Sequence, residues 1–132
     1  MLSKDKHVRA ALDELDSLDI VFVGLGSLAS NSVLNDGHTL SRQATKELRA
    51  HRAVGDIALR FFDGGGTPVF TQLDDRMLGI TTQQLRKVER VVAVAGGSEK
   101  FAAIAAALQA NIVDVLITDR LTAEALGKRA RD

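Results

Sequence analysis

The chain has 132 residues, no cysteine, tryptophan or tyrosine, and seventeen acidic residues against seventeen basic ones. Disulfides, thiolate metal sites and a thiol nucleophile are therefore excluded. Neither net charge nor an aromatic surface is available to draw in nucleic acid or an anionic membrane.

A hydrophobic share of 45% in a chain of this length suits one α/β domain over residues 1–132. The start, Met1-Leu2-Ser3-Lys4-Asp5-Lys6-His7, is charged and lacks the apolar run of a secretion signal. No apolar run approaches the ~18 residues of a membrane span. A cytoplasmic protein without membrane contact is expected.

Val8, Ala11, Leu12 and Leu15 recur at helical spacing, which predicts an amphipathic helix over 4–16. Asp19 to Gly24 is a β-branched run ending at glycine, and its nearly all-apolar composition suits a parallel sheet covered on both faces. Residues 25–39 read as a loop. Ser41 caps a helix over 42–52 with Ala44 and Leu48 inward. Residues 55–63 read as one strand, Gly64-Gly65-Gly66 as a turn, and 67–70 as the returning strand of a hairpin, with Pro68 at a sheet edge. Residues 71–80 form a second loop, and Thr81 or Thr82 opens a short helix to Val88.

The last third alternates clearly: a strand over 90–95, a turn at Gly96-Gly97, and an Ala-rich helix over 98–110 with Ile104, Ala107 and Leu108 on one face. A strand over 112–117 follows, then a helix over 121–130 with Leu121, Ala125 and Leu126 inward. This β-α-β-α order predicts a parallel, Rossmann-like sheet flanked by helices, with a β-hairpin inserted.

Ligands of open parallel sheets lie beyond the carboxyl ends of the strands. That rule selects Gly24-Leu25-Gly26-Ser27, Phe62-Asp63, Gly96-Gly97-Ser98-Glu99-Lys100 and Thr118-Asp119. Gly24-x-Gly26-x-x-Ala29 matches the dinucleotide fingerprint in letters, but no helix pattern opens after it. A glycine turn for close backbone packing, or for approach to a small ligand, explains it as well. At Gly96-Gly97 the next helix offers unpaired N–H groups, and Lys100 in its first turn opposes the helix dipole unless an anion lies nearby. The alternative is a solvated lysine with Ser98 as an ordinary N-cap. Asp56 can accept from sugar hydroxyls or be a strand-entry turn residue. Arg76 is expected to pair locally with Asp74 or Asp75 unless its loop folds over a ligand. His7, His38 and His51 make no metal-ligand spacing, and Ser27 and Ser30 have no adjacent histidine, so neither a metal site, a cofactor nor a hydrolase triad is expected.

Five ordered blocks carry a resemblance: Val23-Gly24-Leu25-Gly26-Ser27; Ala53-Val54-Gly55-Asp56-Ile57 with Arg60-Phe61-Phe62-Asp63; Leu73-Asp74-Asp75-Arg76-Met77-Leu78-Gly79-Ile80; Val94-Ala95-Gly96-Gly97-Ser98-Glu99-Lys100; and Val115-Leu116-Ile117-Thr118-Asp119. Over residues 8–127 the chain resembles the effector-binding domain of SorC/DeoR-type transcriptional regulators. The resemblance implies a fold like that of the glucosamine-6-phosphate deaminase, ribose-5-phosphate isomerase and CoA-transferase group. It also implies a sugar or sugar-phosphate inducer held by Asp56 and Lys100, with Gly24, Gly26, Ser27, Gly96, Gly97 and Arg76 around it, no catalysis, and homo-oligomers. DNA would be contacted only through a helix-turn-helix absent from these residues, and the chain would be the C-terminal part of a longer regulator. Residues 27–40 contain no lysine or arginine, which points to a monophosphate or free sugar rather than a bisphosphate. The competing readings are a sugar-phosphate isomerase or deaminase relative, and an oligomerisation module without ligand.

Overall fold

The computed structural model describes residues 2–29 and 40–132. The loop expected over 25–39 therefore lies largely outside the described residues, as does His38. Short 3-10 turns (Leu2–Lys4 and Glu14–Ser17) flank α1 (Lys6–Asp13), whose N-cap Asp5 accepts from the His7 and Val8 amides. In chain order there follow β1 (Ile20–Gly24), β2 (Gly26–Ser27), α2 (Arg42–Ala50), β3 (Ala53–Ile57), β4 (Arg60–Asp63), β5 (Pro68–Val69), α3 (Thr82–Lys87), β6 (Arg90–Val94), α4 (Phe101–Gln109), β7 (Val115–Ile117) and α5 (Arg120–Arg129).

The strands form two sheets. One is parallel, in the order β1-β6-β7, and the other antiparallel, in the order β2-β3-β4-β5. The expected parallel sheet is present with three strands, but the inserted hairpin has grown into a sheet of its own. The segment read as one strand over 55–63 is itself a hairpin, turning at Ala58 and Leu59, with φ of 51° and 60°. Two consecutive left-handed residues make the turn whose twist suits adjacent strands. Alanine and leucine gave no turn signal, since Asn or Gly normally supplies that geometry. Asp56 replaces the signal by accepting from the Leu59 amide at 3.0 Å. Pro68 sits on the edge strand β5, as expected.

α4 is the layer shared by both sheets. Ala103, Ile104, Ala105, Ala106 and Ala107 are all buried, so the helix is enclosed on more than the single face expected of it. Small side chains permit this. A Cβ on Gly55 of β3 would lie 2.5 Å from the Cβ of Ala103, and one on Gly66 would lie 2.2 Å from that of Ala110. Fully buried Ile57, Val91 and Ile104 meet in this core, each contributing ~1.5–3 kcal/mol by burial. A smaller cluster of Leu40, Leu48, Phe61 and Val69 seats α2, with Ala44 and Leu48 inward as read.

Two expected apolar faces are covered only in part: Val8, Leu12, Leu15 and Leu126 are half-buried, and Leu15 and Leu126 pack on the core. α1 has no buried residue, and on α5 only Thr122 is buried, with Leu121 68% exposed. The parallel sheet is covered on one side only. Phe22 is 72% exposed on its other side, contrary to the expectation of cover on both faces. Among the described residues, no helix is long and apolar enough to cross a membrane.

Candidate functional site

Three of the four selected strand ends converge. Register places Gly24 beside Val94 and Val94 beside Ile117, so β1, β6 and β7 end together. The fourth, Phe62-Asp63, does not join them. Asp63 braces its own turn by accepting from the Gly65 and Thr67 amides, both at 2.9 Å. That turn packs through Gly66 on Ala110, at the far end of α4 from Lys100. The nine residues of α4 separate the two ends by about 14 Å.

Asp56 is delivered by the antiparallel sheet rather than by a parallel strand. The two-residue β2 pairs Gly26 with Asp56 and Ser27 with Gly55, carrying β3 up to the edge where β1 ends. The Asp56 carboxylate then lies across Gly26, where a Cβ would sit 2.0 Å from Oδ1. This close approach is why glycine is needed at 26. The dinucleotide fingerprint is not realised, because its second glycine enters a strand instead of opening a helix.

Ser27 is buried and links the two halves of the site. Its Oγ donates to the Glu99 carbonyl at 2.9 Å and accepts from the Ala29 amide at 3.1 Å. The Glu99 carbonyl belongs to the 3-10 turn Ser98–Lys100, which holds Lys100 immediately before α4. Ser98 makes no side-chain cap, so its expected N-cap role is not seen. Asp56 is 8% exposed, and burial pushes its carboxyl above the ordinary carboxylate value. The Leu59 amide and the charge of Lys100 oppose that rise without cancelling it. Lys100 is near enough for its charge to act on Asp56, but the two form no ion pair; the ion pairs among the described residues are Arg60–Asp74 and Arg120–Glu124.

The glycine turn is fastened from behind. The Gly97 amide, at φ 99°, donates to Asp119 Oδ2 at 2.9 Å and to Thr122 Oγ1 at 3.1 Å. Asp119 also accepts from the Thr122 amide and hydroxyl, at 2.9 and 2.7 Å. These donors, the Thr122 hydroxyl foremost, hold its carboxyl down at about 2. The Gly97 N–H is therefore committed to protein. A Cβ on Gly96 would meet Asp119 Oδ2 at 2.3 Å, so this residue is glycine for the same fastening. A recess of about 450 Å³ adjoins the turn, lined by Ser98, Phe101, Leu121 and Thr122 among others.

Gly24 stands apart. It is exposed at the end of β1 and has nothing within 4 Å of a Cβ position. Arg76 is exposed on the 3-10 turn Asp74–Arg76. The expected local ion pair does not form there. Asp74 pairs with buried Arg60 at 3.0 Å instead, and the Arg60 Nε donates to the Ile80 carbonyl. Sequence reading missed Thr122 and the Leu59 amide. The spacing Asp119-x-x-Thr122 signals a helix cap, but its tie to Gly97 joins positions that only the fold brings together. The Thr118 Oγ1 is buried without a hydrogen-bond partner among the described residues. Among those residues no metal-holding cluster occurs.

Comparison with known proteins gives a consistent result. The family model described as "Putative sugar-binding domain" matches residues 1–127. The chain is 35% identical over 126 residues to the deoxyribonucleoside regulator of Bacillus subtilis, covering 96% of this chain and 40% of the relative. It superposes on the full-length sorbitol operon regulator SorC of Klebsiella pneumoniae with a TM-score of 0.87 and 32% identity, covering 94% of this chain and 40% of that one. A DeoR family transcriptional regulator from Listeria monocytogenes gives a TM-score of 0.86 and 31% identity over 94% of this chain and 50% of that one. The chain thus spans two fifths of the length of the curated regulator it matches. It belongs to the sugar-binding domain family of SorC/DeoR-type transcriptional regulators.

Proposed function

We propose that this chain senses a sugar or sugar monophosphate for a transcriptional regulator, binding it between Asp56 and Lys100 without chemical turnover. The observation that carries the reading is the burial of the Asp56 carboxylate against Gly26 at the edge where β1 ends, within reach of the Lys100 charge but without an ion pair to it. Burying a charge without a full partner is unfavourable, and such groups concentrate where a ligand completes the pairing. An ionised acid accepts two sugar hydroxyls, and an ammonium donates to a hydroxyl or phosphate oxygen. In this reading Gly26, Ser27, Gly96 and Gly97 position the two groups, and Gly24 and Arg76 contribute further contacts to the ligand. No cofactor or metal enters this reading. Its wider parts are a single domain over 1–132, a cytoplasmic location, homo-oligomers, DNA contact through a separate helix-turn-helix, and kinship with the deaminase, isomerase and CoA-transferase fold group.

Calorimetric titration with free sugars, sugar monophosphates and a bisphosphate tests it. Binding of a monophosphate or free sugar is expected, and Lys100→Ala should weaken it about tenfold or more, as loss of a charge-assisted hydrogen bond does. No heat with any member of the panel, or consumption of the bound sugar, would overturn the reading.

A further inference from the structure

Arg60 clasps one loop at both of its ends. Its side chain is 8% exposed; Nε donates to the Ile80 carbonyl at 3.0 Å, and Nη1 donates to Asp74 Oδ1 at 3.0 Å. The other Asp74 oxygen accepts from the Thr71 amide at 2.8 Å, so the start of the loop is tied to the same guanidinium. Between the two ties, Met77, Leu78 and Gly79 donate no backbone hydrogen bond among the described residues. A buried guanidinium needs partners for its donors, so Arg60 and the loop hold each other in place. Arg60 also follows directly on the left-handed pair Ala58-Leu59. Asp56 braces that pair, and its two oxygens are divided: Oδ2 accepts from the Leu59 amide, while Oδ1 lies against Gly26 at the sugar edge. Leu59 of the turn and Leu73 of the loop pack on the same core cluster, a second contact between the two.

We infer that Asp56, the Ala58-Leu59 turn and Arg60 form a relay through which an occupied sugar site tightens residues 71–80. A ligand held on Oδ1 fixes the carboxylate, and with it the bond from the Leu59 amide to Oδ2. Left-handed backbone is disfavoured at residues with a Cβ and persists only where its surroundings enforce it. The turn therefore has a braced state and a relaxed one, the kind of element that coupling between two sites requires. While the turn is braced, Arg60 is aimed at Asp74 and Ile80; when it relaxes, both ties loosen together. The relay ends on a surface, where exposed Phe70 and Leu78 border the recess of about 500 Å³ with Leu12 of α1. Coupling is reciprocal, so whatever holds this loop also favours the sugar. The trigger rests on the ligand reading above; the connection from Asp56 to the loop does not.

Amide hydrogen exchange of the 132-residue chain tests the relay without ligand. Asp56→Ala removes the brace, and exchange at Thr71, Asp74 and Arg76 should quicken about tenfold, the ratio that one lost hydrogen bond gives. Asp56→Asn keeps an acceptor for the Leu59 amide and should not quicken it. Asp63→Ala cuts the brace of the other turn of β4 and controls for lost stability; it should leave the three loop amides unchanged. Equal rates in Asp56→Ala and wild type, or an equal rise in Asp63→Ala, would overturn the inference. Should Asp56→Ala not fold, exchange of the wild type in dilute denaturant decides. The Leu59, Thr71, Asp74 and Arg76 amides should then open as one unit with one denaturant dependence, and independent openings would overturn the relay. With ligand, the sugar or sugar phosphate that gives heat in calorimetry should slow the loop amides of the wild type about tenfold, and heat without slowing would overturn the relay. No heat with any sugar overturns the ligand reading instead, and the Asp56→Ala comparison still decides the connection.

Discussion

The Asp56 carboxylate bears a conflict between stability and use. Burial raises its pKa, so at neutral pH its ionised form works against folding, and the penalty is relieved as pH falls through that raised value. Asp56→Asn keeps an acceptor for the Leu59 amide and removes the buried charge. We expect it to be about 1 kcal/mol more stable at pH 7, within the range of such relieved functional strain, and to lose sugar binding. Chemical denaturation beside calorimetry checks both, and the stability gain should shrink as the medium is acidified. Asp119 has the opposite sign. Its pKa is depressed to about 2, so the stability it contributes is fully present above the ordinary value near 3.8 and is lost as pH falls toward 2. Melting curves of wild type and Asp119→Ala between pH 5 and 2 should therefore converge at the acid end. Of these two acids, Asp56 was legible in sequence as a polar residue after glycine in an apolar run. The role of Asp119 in fastening Gly97 was not, because it rests on a hydrogen bond spanning 22 positions.

Among the elements, the β3–β4 hairpin positions the acid. Its turn places Ala58 and Leu59 in the left-handed region, which disfavours residues with a Cβ. Leu59 packs on the smaller core cluster, but Ala58 is exposed. Ala58→Gly should therefore stabilise the chain by about 1 kcal/mol, measured by denaturant unfolding. The same turn shows where sequence reading stops. Ile57, Ala58 and Leu59 carry no turn residue at the turn itself, and the Asp56 side chain supplies the local bond that Asn or Gly would otherwise signal. By contrast, Gly64 to Gly66, Pro68, the helix start at Thr81 or Thr82 and α4 were readable because each carries its own local chemistry. The two-residue β2 was read as loop. It is too short to show a period, yet it joins the two sheets.

At the scale of the whole molecule, the site exists because two sheets share α4. The parallel sheet brings the Gly97 turn and Lys100, the antiparallel sheet brings Asp56, and Ser27 ties them together through the Glu99 carbonyl. The parallel order of β1, β6 and β7 followed from the alternation of strand and helix patterns. The open face did not, since a strand's composition says that it can be covered, not that its cover lies in the same residues. A second, more remote cavity of about 500 Å³, bordered by Leu12, Arg60, Asp74 and Leu78, offers a competing place for a ligand. The most direct test is a titration of the isotope-labelled chain with the sugar phosphate that gives heat, following backbone amide resonances. The account predicts that the largest shifts fall on Gly26 to Leu28, Asp56 to Leu59 and Gly97 to Phe101 together. Shifts concentrated around Arg60, Asp74 and Leu78, with Asp56 and Lys100 unmoved, would contradict it.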